Sequence, residues 1–174
     1  MKIIHRPQNF ICFLLLIFSV GILTPAGSSA DDIQLSTGQS VYVSIYSHIY
    51  SGIKARPFDL AAILSIRNTD ISQSVTLVSV KYYDTEGKLL KEYLDEPLEL
   101  KALASTRYII MEDDKAGGSG ANFIVKWKSN KKVTPPIIEA VMIGTHSGQG
   151  ISFVSRGQVI KTEDGTNDSA IGDF

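Results

Sequence analysis

From Gln39 onward apolar and polar residues alternate with a period of two, as in a strand that buries one face, and no stretch keeps a helical repeat. In QSVYVSIYS (39–47), Val41, Val43 and Ile45 alternate with Tyr42, Ser44 and Tyr46. DLAAILSIRN (59–68) places Leu60, Ala62, Leu64 and Ile66 on one side, and SVTLVSVKYYD (74–84) places Thr76, Val78, Val80 and Tyr82 on one side. LLKEYL (89–94), STRYIIMED (105–113), NFIVKWK (122–128), PIIEAVMIGT (136–145) and ISFVSRGQVI (151–160) complete eight expected strands.

Turn residues separate these runs. Asp84, Thr85, Glu86 and Gly87 stand between two apolar runs, and Gly87 supplies the positive φ that a short hairpin loop with a bulge needs. Pro57, Pro97, Pro135 and Pro136 fall in connections or at strand starts, where a missing N–H costs no ladder bond. Eight short strands without an intervening helix predict a single antiparallel β-sandwich, loosely immunoglobulin-like, over residues 31–160. Phe123, Val125 and Trp127 share one face of their strand and are expected in the core.

The two ends of the chain depart from this pattern. Lys2, His5 and Arg6 precede a low-polarity run from Phe10 to Leu23, and TPAGSSA follows with small residues at Ser28 and Ala30. That order predicts a secretory signal peptide over residues 1–30, cleaved after Ala30, and an exported protein, periplasmic or extracellular. The run of 14 residues is shorter than the ~20 a spanning helix needs, so no membrane span is expected after cleavage. Residues 161–174, KTEDGTNDSAIGDF, are acidic and turn-rich, and are expected to form a disordered tail.

Cys12 lies inside the leader, so the mature chain would use no disulfide, thiol nucleophile or thiolate metal site. Losing Lys2 and Arg6 leaves 15 basic residues against 18 acidic ones, a net charge of −3 with no footprint for nucleic acid.

Two glycine clusters invite chemistry. GGSGA (117–121) is one residue from the G-x-S-x-G elbow, but that motif needs a helix after the serine, and here a strand follows. The phosphate-cradling loops fail because they too need a helix to follow, and besides, no lysine follows Gly120 and Phe123 stands where a third glycine would. GTHSGQG (144–150) also runs into a strand, and neither His48 nor His146 lies in a motif that marks a catalytic base. No enzyme is predicted and no cofactor is assigned.

If the eight strands alternate in direction, residues 48–57, 85–88, 112–121 and 146–150 lie at one end of the sandwich. His48, Tyr50, Lys54, Arg56, Asp113, Asp114, Gly117, Gly118, Gly120 and His146 then form a candidate binding end for a protein, a glycan or a small ligand. One alternative is a metal-binding envelope protein using His48 and His146 with Asp113 and Asp114, since imidazole and carboxylate suit first-row metals. Another is a structural envelope component that assembles through an exposed sheet edge.

LSIRNTD (64–70), VKYYDTEGKLL (80–90), LASTRYII (103–110), GGSGANFIVKW (117–127) and PIIEAVMIGTHSGQGISFVSRGQ (136–158) resemble the bacterial secreted family catalogued as domain of unknown function 3124, over roughly residues 38–160. The resemblance implies an exported bacterial protein of one domain. It brings no activity, ligand or catalytic residue with it.

Overall fold

The computed structural model describes residues 34–163 except 52 and 147, and does not describe the side chains of Ser51, His146 and Gln149. The expected leader, 1–30, lies outside the described residues. Twelve strands are present among those described, in the order β1 (Ser36–Ser44), β2 (His48–Ser51), β3 (Arg56–Asp59), β4 (Ala61–Arg67), β5 (Val75–Tyr83), β6 (Leu89–Glu92), β7 (Leu98–Leu100), β8 (Ser105–Ile110), β9 (Asn122–Val133), β10 (Ile137–His146), β11 (Gln149–Arg156) and β12 (Gln158–Thr162). No helix among these residues is long and apolar enough to cross a membrane.

Two antiparallel sheets make the sandwich. One runs β12-β1-β9-β5-β6 with β7 also on β5, the other β11-β10-β4-β8, and β2 and β3 form a separate ribbon. The alternating residues of the central strands supply a single core: Val41, Val43, Leu77, Val80, Phe123, Val125 and Trp127 from the larger sheet, Leu64, Ile66, Ala140 and Met142 from the smaller. Phe123, Val125 and Trp127 are fully buried, as their shared face predicts.

Every expected strand is found, and four short ones join them. The physical causes lie in how strands end. Residues 48–57, expected as a loop, fold back as the β2–β3 ribbon, pairing Tyr50 with Pro57. Pro57 fits there because the ribbon's outer side needs no N–H. The run 151–160 is one strand by pattern but breaks at Gly157, where β11 leaves the smaller sheet and β12 enters the larger. At the crossing Gly157 N donates to Ile138 O at 2.8 Å, and a Cβ there would stand 2.6 Å from Val41 Cγ1 and 2.7 Å from Ile138 O.

The expected tail begins too early. Lys161 and Thr162 pair with Ser40 and Gln39, and Glu163 N donates to Gly38 O at 2.9 Å. Residues 164–174 lie outside the described residues.

The inward phase of β5 also differs from its alternation. Val80 and Tyr82 are buried, but their companions are Val75 and Leu77, while Thr76 is half-buried and Val78 is 39% exposed. The register against β9 slips between Leu77 and Ser79, so one extra residue reverses which face the strand shows the core.

The open side of the larger sheet is closed by a second irregularity. β6 and β7 both pair with β5, and residues 93–97 connect them. Tyr93 turns inward there: its N–H donates to Val80 O at 2.9 Å, and its ring packs 5.0 Å from Tyr108 and 5.8 Å from Phe123. An edge made of two short strands with exposed Lys91, Glu92 and Glu99 resists pairing with other strands.

Candidate functional site

Three of the four connections expected at one end meet there through main-chain hydrogen bonds. Ile45 N donates to Ala121 O at 2.9 Å, Ser47 N to Gly118 O at 3.0 Å, and Thr85 N to Gly117 O at 3.0 Å. Thr85 is the hub, since its Oγ1 donates to Gly117 O at 3.0 Å and accepts from Gly120 N at 3.1 Å. The fourth connection reaches the same end through β10: a Cβ on Gly144 would lie 2.5 Å from Asp59 O and 2.6 Å from Phe58.

The glycine cluster is shaped by crowding and chain reversal. A Cβ at Gly117 would stand 2.0 Å from Tyr82 Oη and 2.7 Å from Ala121 Cβ, and Gly118 has φ +73°. The backbone can therefore lie flat on Tyr82 and turn at once into β9. Ser119 is half-buried in the same loop, and no helix follows it.

Beneath this loop lie two buried hydroxyls, of Ser47 and Tyr82. Burial pushes the Tyr82 hydroxyl above its ordinary value of 10.0, and the carboxylates of Asp114 and Asp84 push the same way. Ser47 and the Gly117 main chain oppose the rise, yet Ser47 Oγ and Tyr82 Oη are both buried without a well-aligned hydrogen bond. The phenol thus stays protonated through the neutral range and acts as packing under the loop. Its ring stacks on Phe123 at 5.2 Å.

Above the loop stands the β2–β3 ribbon, pinched at its base by the 2.9 Å bond from Leu60 N to Ser47 O. His48 Nε2 and Tyr50 Oη lie 3.2 Å apart, with their rings edge to face at 5.2 Å. Tyr50 is 61% exposed and Ile53, in the turn, 107% exposed; Lys54 and Arg56 are exposed beside them. Lys115 Nζ reaches Asp59 Oδ2 at 2.9 Å, joining the 112–121 loop to the ribbon.

The proposed metal ligands are not drawn together by what is described. Asp113 is exposed, and Asp114 Oδ1 accepts from Ala116 N at 3.0 Å within its own turn. His146 ends β10, paired with Gln149, and its side chain lies outside the described residues. Among the described residues no group of three or more His, Cys, Asp or Glu side chains could hold a metal ion.

Sequence reasoning did not single out Ser47, Asp59, Thr85, Tyr82 or Lys115 for this end. Each is an unremarkable residue type in its strand or turn. Their roles depend on contacts such as Thr85 to Gly117, Lys115 to Asp59 and Ser47 to Gly118, far apart along the chain, which no local pattern signals.

The model for one protein family matches residues 38–160, with the description "Protein of unknown function (DUF3124)". This chain belongs to that family. The matched span runs from β1 to β12 and so includes both sheets and every connection of the DUF3124 domain. No curated protein matches it. Among solved structures, the domain is similar to one titled "Crystal Structure of Thermotoga maritima 1070", with 10% identity, 72% of this chain and 97% of that chain covered, and a TM-score of 0.43. So low a score adds nothing to the fold assignment.

Proposed function

We propose that this DUF3124 chain is an exported, non-catalytic binding module that presents the ribbon-and-loop end to a protein partner. The observation that carries the reading is the pairing of a tied base with an exposed tip. Main-chain bonds from Ile45, Ser47 and Thr85 hold the glycine loop in place, and the ribbon above it offers Tyr50, Ile53 and Arg56 to solvent. Aromatic, large aliphatic and arginine side chains on a rigid support are the residue types that dominate protein–protein contacts. Export rests on the basic start and the Phe10–Leu23 run. A mature chain that begins at Asp31 in intact mass analysis supports export, and one that retains Met1 rejects it.

The binding reading is tested by passing envelope extract over immobilised protein and over a Tyr50→Ala/Ile53→Asp variant of equal melting temperature. A species retained by the first and lost by the second supports the module. Equal retention, or none, removes it.

A further inference from the structure

The outer face of the β11-β10-β4-β8 sheet carries a row of branched apolar residues from edge to edge. Ile109 pairs with Ile63, Ile63 with Val141, and Val141 with Val154. The next row toward the ribbon end pairs Ala61 with Ile143, with Met111 following β8 beside it and Ser152 closing it on β11. Ile109, Met111, Ile143 and Val154 are 47%, 63%, 41% and 53% exposed. The solvent face of an antiparallel sheet is ordinarily polar, so a contiguous apolar row marks a contact surface.

Charge flanks this band unequally. On one side the adjoining row reads Arg107, Ser65, Glu139, Arg156 across the four strands, with Arg67 one step further. On the other, the turn after Met111 carries Glu112 and Asp113, both exposed. Neither Arg107, Arg156, Glu112 nor Asp113 makes an ion pair among the described residues. Along β8 the face therefore runs from Arg107 through Ile109 and Met111 to the carboxylates of Glu112 and Asp113.

We propose that this face binds a second copy of the chain about a two-fold axis that crosses the strands between the Ile63 and Ala61 rows. That operator lays the Ile109–Val154 row of each copy on the Met111–Ile143 row of the other. It also brings Arg107 toward the partner's turn that carries Glu112 and Asp113, twice by symmetry. An axis along the strands would instead set Arg107 over the partner's Arg156, which like-charge repulsion disfavours. Four strands at ~4.8 Å and about seven residues at ~3.4 Å make a patch of roughly 450 Å² in projection. That is below the roughly 800 Å² per partner of standard interfaces, so the dimer is weak, reversible and concentration-dependent. It does not depend on the loop-end reading, because its readout is particle mass and not ligand retention.

The test is sedimentation equilibrium of the purified protein up to about 1 mM, the range in which a weak dimer forms. Wild type should show a monomer–dimer equilibrium. Val154→Asp should weaken it by about tenfold or more, at an unchanged melting temperature. Arg107→Asp and Asp113→Arg should each weaken self-association, yet an equimolar mixture of the two should dimerise, because both pairs are then complementary. A monomer throughout the range, a dimer indifferent to Val154→Asp, or a mixture no tighter than its components overturns the proposal.

Discussion

Gly117 and Tyr82 are in direct contact, with only a hydrogen at Gly117 where any other residue would place a carbon 2.0 Å from the phenol oxygen. The tyrosine ring thus sets how closely the glycine loop approaches the sandwich, and the loop positions Ser47 and Thr85 through its carbonyls.

Gly117→Ala should therefore destabilise by about 1 to 3 kcal/mol, the ordinary cost of overpacking. Tyr82→Phe alone should change stability by less than about 1 kcal/mol, because its hydroxyl has no well-aligned partner to lose. In urea titrations the double variant should be less destabilised than the two single changes added together, since the nearest clash is with the oxygen that Tyr82→Phe removes. Strict additivity would show that the contact does not govern the loop.

Thr85→Val should cost about 1 to 2 kcal/mol, because it deletes both the donor to Gly117 O and the acceptor of Gly120 N while keeping the shape. Amide exchange would check the mechanism: the Gly120 amide should lose protection while strands β9 and β10 keep theirs.

Trp127→Ala should cost about 3 to 5 kcal/mol, since the ring is fully buried between the sheets. A melting temperature close to wild type would contradict its place in the core.

The far end of the sandwich supplies a pH-dependent contribution. Asn68, fully buried, donates through Nδ2 to Gln73 O, Leu100 O and Lys101 O and accepts from Asp70 N, joining the 68–73 loop to Leu100 and Lys101. Asp70 in turn accepts from Ser72 N and Gln73 N, and these bonds, with a further one from Thr134 N, hold its carboxyl below the usual 3.8. A depressed folded pKa stabilises the fold above the unfolded value and is lost as pH falls through the folded one. The stability gap between wild type and Asp70→Asn should hence be complete near neutral pH and shrink below about pH 4 in urea titrations. A gap that widens in acid would reverse the assignment.

Much of the architecture is legible along the chain because it depends on near neighbours. A strand's periodicity is local, so all eight expected runs appear, and so do the Gly87 turn with φ +81° and the burial of Phe123, Val125 and Trp127. The exceptions arise where one segment answers to another. Val78 is turned outward by a slip against β9, and Gly157 divides a continuous run because Val41 and Ile138 leave no room for a side chain.

The candidate end divides in the same way. Chain alternation alone places 48–57, 85–88 and 112–121 at one end, since antiparallel strands must return every second connection to the same side. Which atoms hold those loops together was beyond it. Thr85 bonding to Gly117 and Gly120, and Lys115 to Asp59, join positions whose separation has no periodic signature. The apolar row Ile109, Ile63, Val141, Val154 is likewise invisible in any one strand, where each member is a single outward residue. Hydrophobic alternation determines what a strand buries; only the register between strands decides what a sheet exposes.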